Sequence, residues 1–153
     1  MSAVLKQALA LRPMQLEDLD AVMEIEPTIY SHPWTRGNFS DSLNSGYSAW
    51  VLLQQQSIIG YALMMMVLDE AHLLNISIAK PYQKQGLGKY LLEHMIAMAK
   101  RHHAANMFLE VRTSNQAAIS LYEHMGFCEM VVRRGYYPAH QGREDAILMG
   151  LAL

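Results

Sequence analysis

At 153 residues, 52% hydrophobic and 17% charged, the chain is long enough to bury a core without disulfide or metal staples. Its single cysteine, Cys128, rules out an internal disulfide and offers no cysteine cluster for zinc or iron. A net charge of −2 argues against broad electrostatic binding to nucleic acid, and no apolar run reaches the roughly 18 residues of a membrane span. Met1 to Leu11 lacks the long apolar core and cleavage site of a secretory leader. The expectation is one cytoplasmic domain over residues 1–153.

In chain order, Ala8 to Arg12 reads as a strand ended by Pro13. Gln15 to Glu26 places Leu16, Leu19, Val22 and Met23 at helical spacing, with Glu17, Asp18 and Asp20 early where the dipole favours acids. Pro27 is expected to end that helix. Tyr30 to Thr35 is an aromatic loop that could cap the core or line a cleft, and composition alone favours the core. A short helix is expected near Arg36 to Leu43. Strands at Tyr47 to Leu53 and Ile58 to Leu68 are joined through Gln54–Ser57, and Met64–Met66 supplies adaptable side chains to a core or cleft.

Leu74, Ile76 and Ile78 then alternate with Asn75 and Ser77, the pattern of a strand with one apolar face, and Pro81 stops it. Past Gly88, Leu91, Leu92, Met95, Ile96 and Ala99 form a helical stripe. Met107 to Arg112 alternates again, with Met107, Leu109 and Val111 opposite Phe108, Glu110 and Arg112. Ser114 or Asn115 can cap the next helix, where Ala118, Leu121, Tyr122 and Met125 share a face before Gly126. Cys128 to Arg134 and Ala146 to Leu151 are the last strands, joined by a long connection through Tyr136, Tyr137, Pro138 and Gly142. The order β-α-α-β-β-β-α-β-α-β-β implies an α/β sheet of mixed direction.

Chemistry concentrates in two places. Gln83-Lys84-Gln85-Gly86-Leu87-Gly88-Lys89 joins a strand to a helix start, whose unpaired N–H groups and positive dipole end suit a phosphate. The plainer reading is a tight turn with solvated lysines. Neither a Gly-x-Gly-x-x-Gly nor a Walker pattern is present. Glu110 and Tyr122 form the second place: a carboxylate can take a proton from an attacking amine, and a phenol can hydrogen-bond or protonate a departing sulfur. Glu110 could instead pair with Arg112, and Tyr122 could simply pack. The histidines show no metal-ligand spacing, and Cys128 reads as core.

The Gln83–Gly88 stretch matches Gln/Arg-x-x-Gly-x-Gly/Ala and resembles the coenzyme A pyrophosphate loop of the GNAT superfamily of N-acetyltransferases. Further blocks narrow the likeness to ribosomal-protein alanine N-acetyltransferases of the RimI type, from about Leu11 to Leu151. They are His32-Pro33-Trp34-Thr35, Asp69 to Ile76, Leu109 to Asn115 with Leu121-Tyr122-Glu123, Met125-Gly126-Phe127, Arg133 to Pro138, and Glu144-Asp145-Ala146. Lys84-Gln85 stands where paired arginines are common.

The resemblance implies a mixed, mostly antiparallel sheet flanked by helices, and acetyl-CoA as cosubstrate with no metal. It implies that Ile76, Ser77 and Ile78 meet the acetyl-pantetheine arm. Lys84, Gln85, Gly86, Leu87, Gly88 and Lys89 would hold the pyrophosphate, and Asn115 would bind the coenzyme. Glu110 would be the general base and Tyr122 the general acid. Trp34, Tyr136 and Tyr137 are expected to border the acceptor cleft. The implied reaction acetylates the N-terminal alanine of the eighteenth small-subunit ribosomal protein, by a monomer with no nucleic-acid or membrane partner. A broader N-terminal or small-amine acetyltransferase and a non-catalytic coenzyme A-binding regulatory module are the alternatives.

Overall fold

The computed structural model describes residues 9–153, so the expected strand start at Ala8 and the reading of the first residues lie outside it. Eleven elements follow in order: β1 (Leu9–Pro13), α1 (Leu19–Ile29), α2 (Arg36–Asn44), β2 (Ser48–Gln54), β3 (Ser57–Val67) and β4 (Glu70–Ile78), then α3 (Leu87–Arg101), β5 (Asn106–Arg112), α4 (Gln116–His124), β6 (Cys128–Pro138) and β7 (Arg143–Ala152). They build one seven-stranded sheet in the order β1-β2-β3-β4-β5-β7-β6. Every neighbouring pair is antiparallel except β4 and β5. The architecture is thus the expected mixed, mostly antiparallel α/β sheet.

Both faces of the sheet are covered because its strands alternate apolar residues to either side. On one face Ala62 and Met64 of β3 pack with Leu91, Leu92, Met95 and Ala99 of α3 and Ile119 of α4. On the other, Tyr61 and Leu63 meet Leu19 and Val22 of α1 and Phe39 of α2. Burying each large apolar side chain contributes about 1.5–3 kcal/mol. The β2–β3 hairpin turns through Gln55 (φ 50°) and Gln56 (φ 72°), two left-handed residues as a tight two-residue hairpin requires.

The site is positioned by a failure of pairing. β4 and β5 pair only from Glu70↔Asn106 to Leu73↔Leu109, while β5 continues to pair with β7 as far as Arg112↔Ala146. At the same place β4 carries an extra residue against β3: Leu63 faces Asn75 and Met64 faces Leu73, leaving Leu74 as a bulge. A bulge bends and twists its strand, and here it accompanies the parting of β4 from β5.

Several expectations are corrected. Asn75 and Ser77 are buried while Leu74 is 36% exposed, the reverse of a simple apolar face, because the bulge turns the polar pair inward onto Glu26 of α1 and Tyr30 just after it. α1 runs through Pro27 to Ile29: the proline sits in the last turn, which Tyr30 N–H closes by donating to Glu26 O (3.2 Å). Residues Leu16–Asp18 ahead of it form a separate 3₁₀ turn, where Arg12 grips Asp18 at 2.7 and 2.8 Å. The long connection before β7 shrinks to 139–142, since Tyr137↔Glu144 and Pro138↔Arg143 are ladder pairs. Cys128 is exposed, because β6 is the outer edge of the sheet. Arg112 pairs with Glu144 at 3.2 Å rather than with Glu110.

Candidate active site

The parted strands open a cleft of about 370 Å³. Leu73 to Ile76 of β4 form one wall and Leu109 to Arg112 of β5 the other. Asn115, Ala118 and Tyr122 close it from α4, while Glu26, Tyr30, His32 and Trp34 approach from α1 and the loop after it. Tyr137 and Pro138 complete the lining from the end of β6.

Glu110 and Tyr122 both line this cleft. β5 turns Met107, Leu109 and Val111 into the core, which leaves Glu110 on the opposite face. Its Oε2 atom is buried and has no hydrogen-bond partner among the described residues; Arg133 Nε lies 4.0 Å away. Tyr122 is held by α4, capped by Asn115 Oδ1 accepting from Ala118 N–H (3.2 Å), and its ring meets Phe127 edge-on at 5.7 Å. Burial pushes the Tyr122 phenol well above its ordinary range. It stays protonated.

The three aromatics expected to border an acceptor divide. Trp34 and Tyr137 line the cleft. Trp34 stacks on Phe39 at 5.0 Å, and Tyr137 lies under the Arg112 guanidinium at 4.5 Å. Burial, with Glu110 nearby, pushes Tyr137 up to about 12. Tyr136 stands outside the lining and is 45% exposed, because neighbouring strand residues point to opposite faces. It remains close enough to Glu110 for that carboxylate to raise its phenol.

The glycine loop is made of backbone. Gly86 takes φ +81° ahead of α3, and no side chain caps the helix start. A Cβ on Gly88 would meet Leu121 Cδ2 at 3.4 Å, so the helix also packs closely on α4. Leu87 is buried as the anchor, while Lys84, Gln85 and Lys89 are exposed. Gln83 Nε2 donates to Ile78 O (2.8 Å) and ties the loop to β4. Ile76 and Ile78 turn their backbone groups to the side β5 has left, since Ile76 O accepts from the Tyr30 hydroxyl (3.1 Å). Ser77 instead faces the interior. An uncapped helix start, a left-handed glycine and a freed strand edge suit a long ligand ending in phosphates.

Reasoning from sequence missed Glu26 and Leu74, while Tyr30 lies on the loop read as a possible cleft wall. Glu26 had a signal: it continues the buried Leu19–Val22 stripe by one turn, an acid where an apolar residue belongs.

The acetyltransferase (GNAT) family matches residues 19–127. The chain belongs to that family, whose members are acyltransferases using acetyl-CoA. It is 43% identical to the [ribosomal protein bS18]-alanine N-acetyltransferase of Escherichia coli (strain K12), over 92% of this chain and 95% of that protein. The enzyme of the same description from Haemophilus influenzae is 39% identical over 89% of this chain and 93% of its own length. A crystal structure of the ribosomal-protein alanine N-acetyltransferase from Escherichia coli superposes with a TM-score of 0.89 at 42% identity, covering 94% of this chain and 93% of that one.

Proposed function

We propose that this enzyme transfers acetyl from acetyl-CoA to the α-amine of an N-terminal alanine, with ribosomal protein bS18 as acceptor. It is read as a monomeric cytoplasmic enzyme of one domain. The observation that carries the reading is the Glu110 carboxylate oxygen, buried and without a hydrogen bond among the described residues, in the same cleft as Tyr122. The relatives at 39–43% identity support the choice of acceptor.

The coenzyme supplies an acetyl group activated as a thioester. Gly86 to Lys89 hold its pyrophosphate, Lys84 and Gln85 border it, Ile76 and Ile78 present strand edge to the pantetheine arm, and Asn115 adds a polar contact. An α-amine of pKa about 7.7–8.0 is mostly protonated at neutral pH, so Glu110 must take that proton, directly or through one water. The freed nitrogen then bonds to the carbonyl carbon as the carbon–sulfur bond breaks. A backbone N–H near Ile76 steadies the charge on oxygen.

Tyr122 faces the departing sulfur. An ordinary phenol near 10 is a weaker acid than a thiol near 8.5 by roughly 2 kcal/mol, and burial raises Tyr122 further. Tyr122 therefore donates a hydrogen bond to the thiolate and keeps its proton. The nitrogen loses its second proton to solvent as the amide forms, the thiolate takes one proton up from solvent, and Glu110 returns the first, so one proton is released net.

Intact mass of ribosomal protein bS18 before and after incubation with enzyme and acetyl-CoA tests the reading. One acetyl on the terminal alanine is expected. Equal modification of internal lysines would leave only a general amine acetyltransferase, and no amine-dependent release of thiol would leave the regulatory module.

A further inference from the structure

Glu26 is 1% exposed and lies at the floor of the cleft. Its Oε1 accepts from the Tyr61 hydroxyl (2.8 Å) and from Asn75 Nδ2 (3.1 Å), and its Oε2 accepts from the Trp34 backbone N–H (2.9 Å). Ser77 Oγ donates to Asn75 Oδ1 (2.7 Å) and lies 2.7 Å from the Tyr30 hydroxyl. Among the described residues no cation forms an ion pair with Glu26. A buried carboxylate without a cation is a poor stabiliser, and a well-packed apolar residue often serves a fold better. Its bonds are better explained by what they join.

They join the two sides of the acceptor entrance. Trp34 belongs to the loop after α1, and Asn75 sits beside the Leu74 bulge between two residues that line the cleft. Tyr61 anchors the carboxylate to the middle of the sheet. We infer that Glu26 is a positioning residue for acceptor binding, fixing the Trp34 loop against the β4 bulge so that the acceptor terminus is held between them. This rests on the proposed reading of the cleft as the acceptor site.

The test compares Glu26→Gln with Tyr61→Phe. The amide accepts at one end only, so it cannot take both the Trp34 N–H and the Asn75 Nδ2 bond, and the link between loop and bulge is broken on one side. Tyr61→Phe removes one donor from the same carboxylate and leaves the Trp34 tie. Glu26→Gln should raise KM for an Ala-terminal peptide about tenfold with kcat and acetyl-CoA affinity nearly unchanged, the pattern of lost ground-state binding. Tyr61→Phe should lower the melting temperature yet leave that KM within about twofold. Equal KM in both variants and wild type, or a fall in kcat alone, overturns the inference.

Amide hydrogen exchange at Trp34 in the wild type covers the case in which Glu26→Gln fails to fold. Slow exchange, like that of the sheet, is expected, and exchange at the rate of an open loop overturns the tie. Wild type that never acetylates the peptide while Trp34 stays protected would instead sink the functional reading.

Discussion

The two ends of the cleft are built from different materials. The end proposed for the coenzyme is backbone: Gly86 at φ +81°, the uncapped start of α3, and the strand edge freed where β4 leaves β5. The end proposed for the acceptor is side chain: Trp34, Tyr30 and Tyr137, held by Glu26 on one side and by Arg112 and Glu144 on the other. Phosphates are the same in every reaction of such a family, so fixed N–H groups suffice for them. An acceptor terminus must be told from other amines, and that takes shape and chemistry only side chains supply. Substitutions at the first end should damage coenzyme binding, those at the second should damage acceptor binding, and the reacting pair between them should affect neither.

Glu110→Gln cuts deepest. Turnover should fall by about 10²–10⁴, the usual worth of a positioned base, with acetyl-CoA affinity intact. The deficit should narrow above about pH 8, where the α-amine is largely free. Full activity at pH ~7 would move the base elsewhere and remove the boundary between the two ends. Next is Gly86→Val. At a hundredfold excess over its dissociation constant, acetyl-CoA should stabilise the wild type by about 2.7 kcal/mol. A β-branched residue at φ +81° should abolish most of that thermal shift. An unchanged shift would mean that the loop does not hold the coenzyme.

The contrast in materials also accounts for what could be read from the chain. Gln83 to Gly88 is a local pattern, and α3 follows it with Leu91, Leu92, Met95 and Ala99 in the core, so motif, strand and helix agreed with the fold. Met107, Leu109 and Val111 turned inward and left Glu110 free, again by simple alternation. Period-2 reasoning failed where register changes. The bulge at Leu74 inverted the faces of Asn75 and Ser77, and the shift between Arg133 and Tyr137 carried the last two tyrosines into β6. Glu26 joins residues 8, 35 and 49 positions away, and no local window contains such a contact. The acceptor site was legible as an aromatic loop and a tyrosine pair, but not as an arrangement.

Tyr137→Ala probes the acceptor end at smaller scale. Losing the ring between Arg112 and the cleft should raise KM for an Ala-terminal peptide roughly tenfold, equivalent to about 1.4 kcal/mol, with acetyl-CoA affinity held. A drop in melting temperature with no selective change in KM would reduce Tyr137 to packing.

The smallest effect belongs to Glu144. Its Oε2 accepts from Ser114 N–H (2.8 Å) and its Oε1 from Arg112 Nη1 (3.2 Å), while Arg112 Nη1 also donates to Pro138 O (2.7 Å). These bonds tie the end of β6, with Tyr137, to the start of α4. Hydrogen bonding from Ser114, and then Arg112, holds the Glu144 carboxyl below its ordinary range. A carboxylate depressed in the folded state stabilises fully above its unfolded value of about 4.3, and that contribution is lost as pH falls through the folded value. Because the pair is partly solvated, Glu144→Gln should cost only about 0.5–1 kcal/mol at pH 7, or about 1–4 °C in melting temperature. The gap between variant and wild type should close as pH is lowered below about 4. Acceptor KM at pH 7 should rise about two- to threefold, less than for Tyr137→Ala, because the wall is loosened and not removed. A change in acetyl-CoA affinity of the same size would show that the two ends are coupled through α4, and the division between backbone-built and side-chain-built sites would fail there.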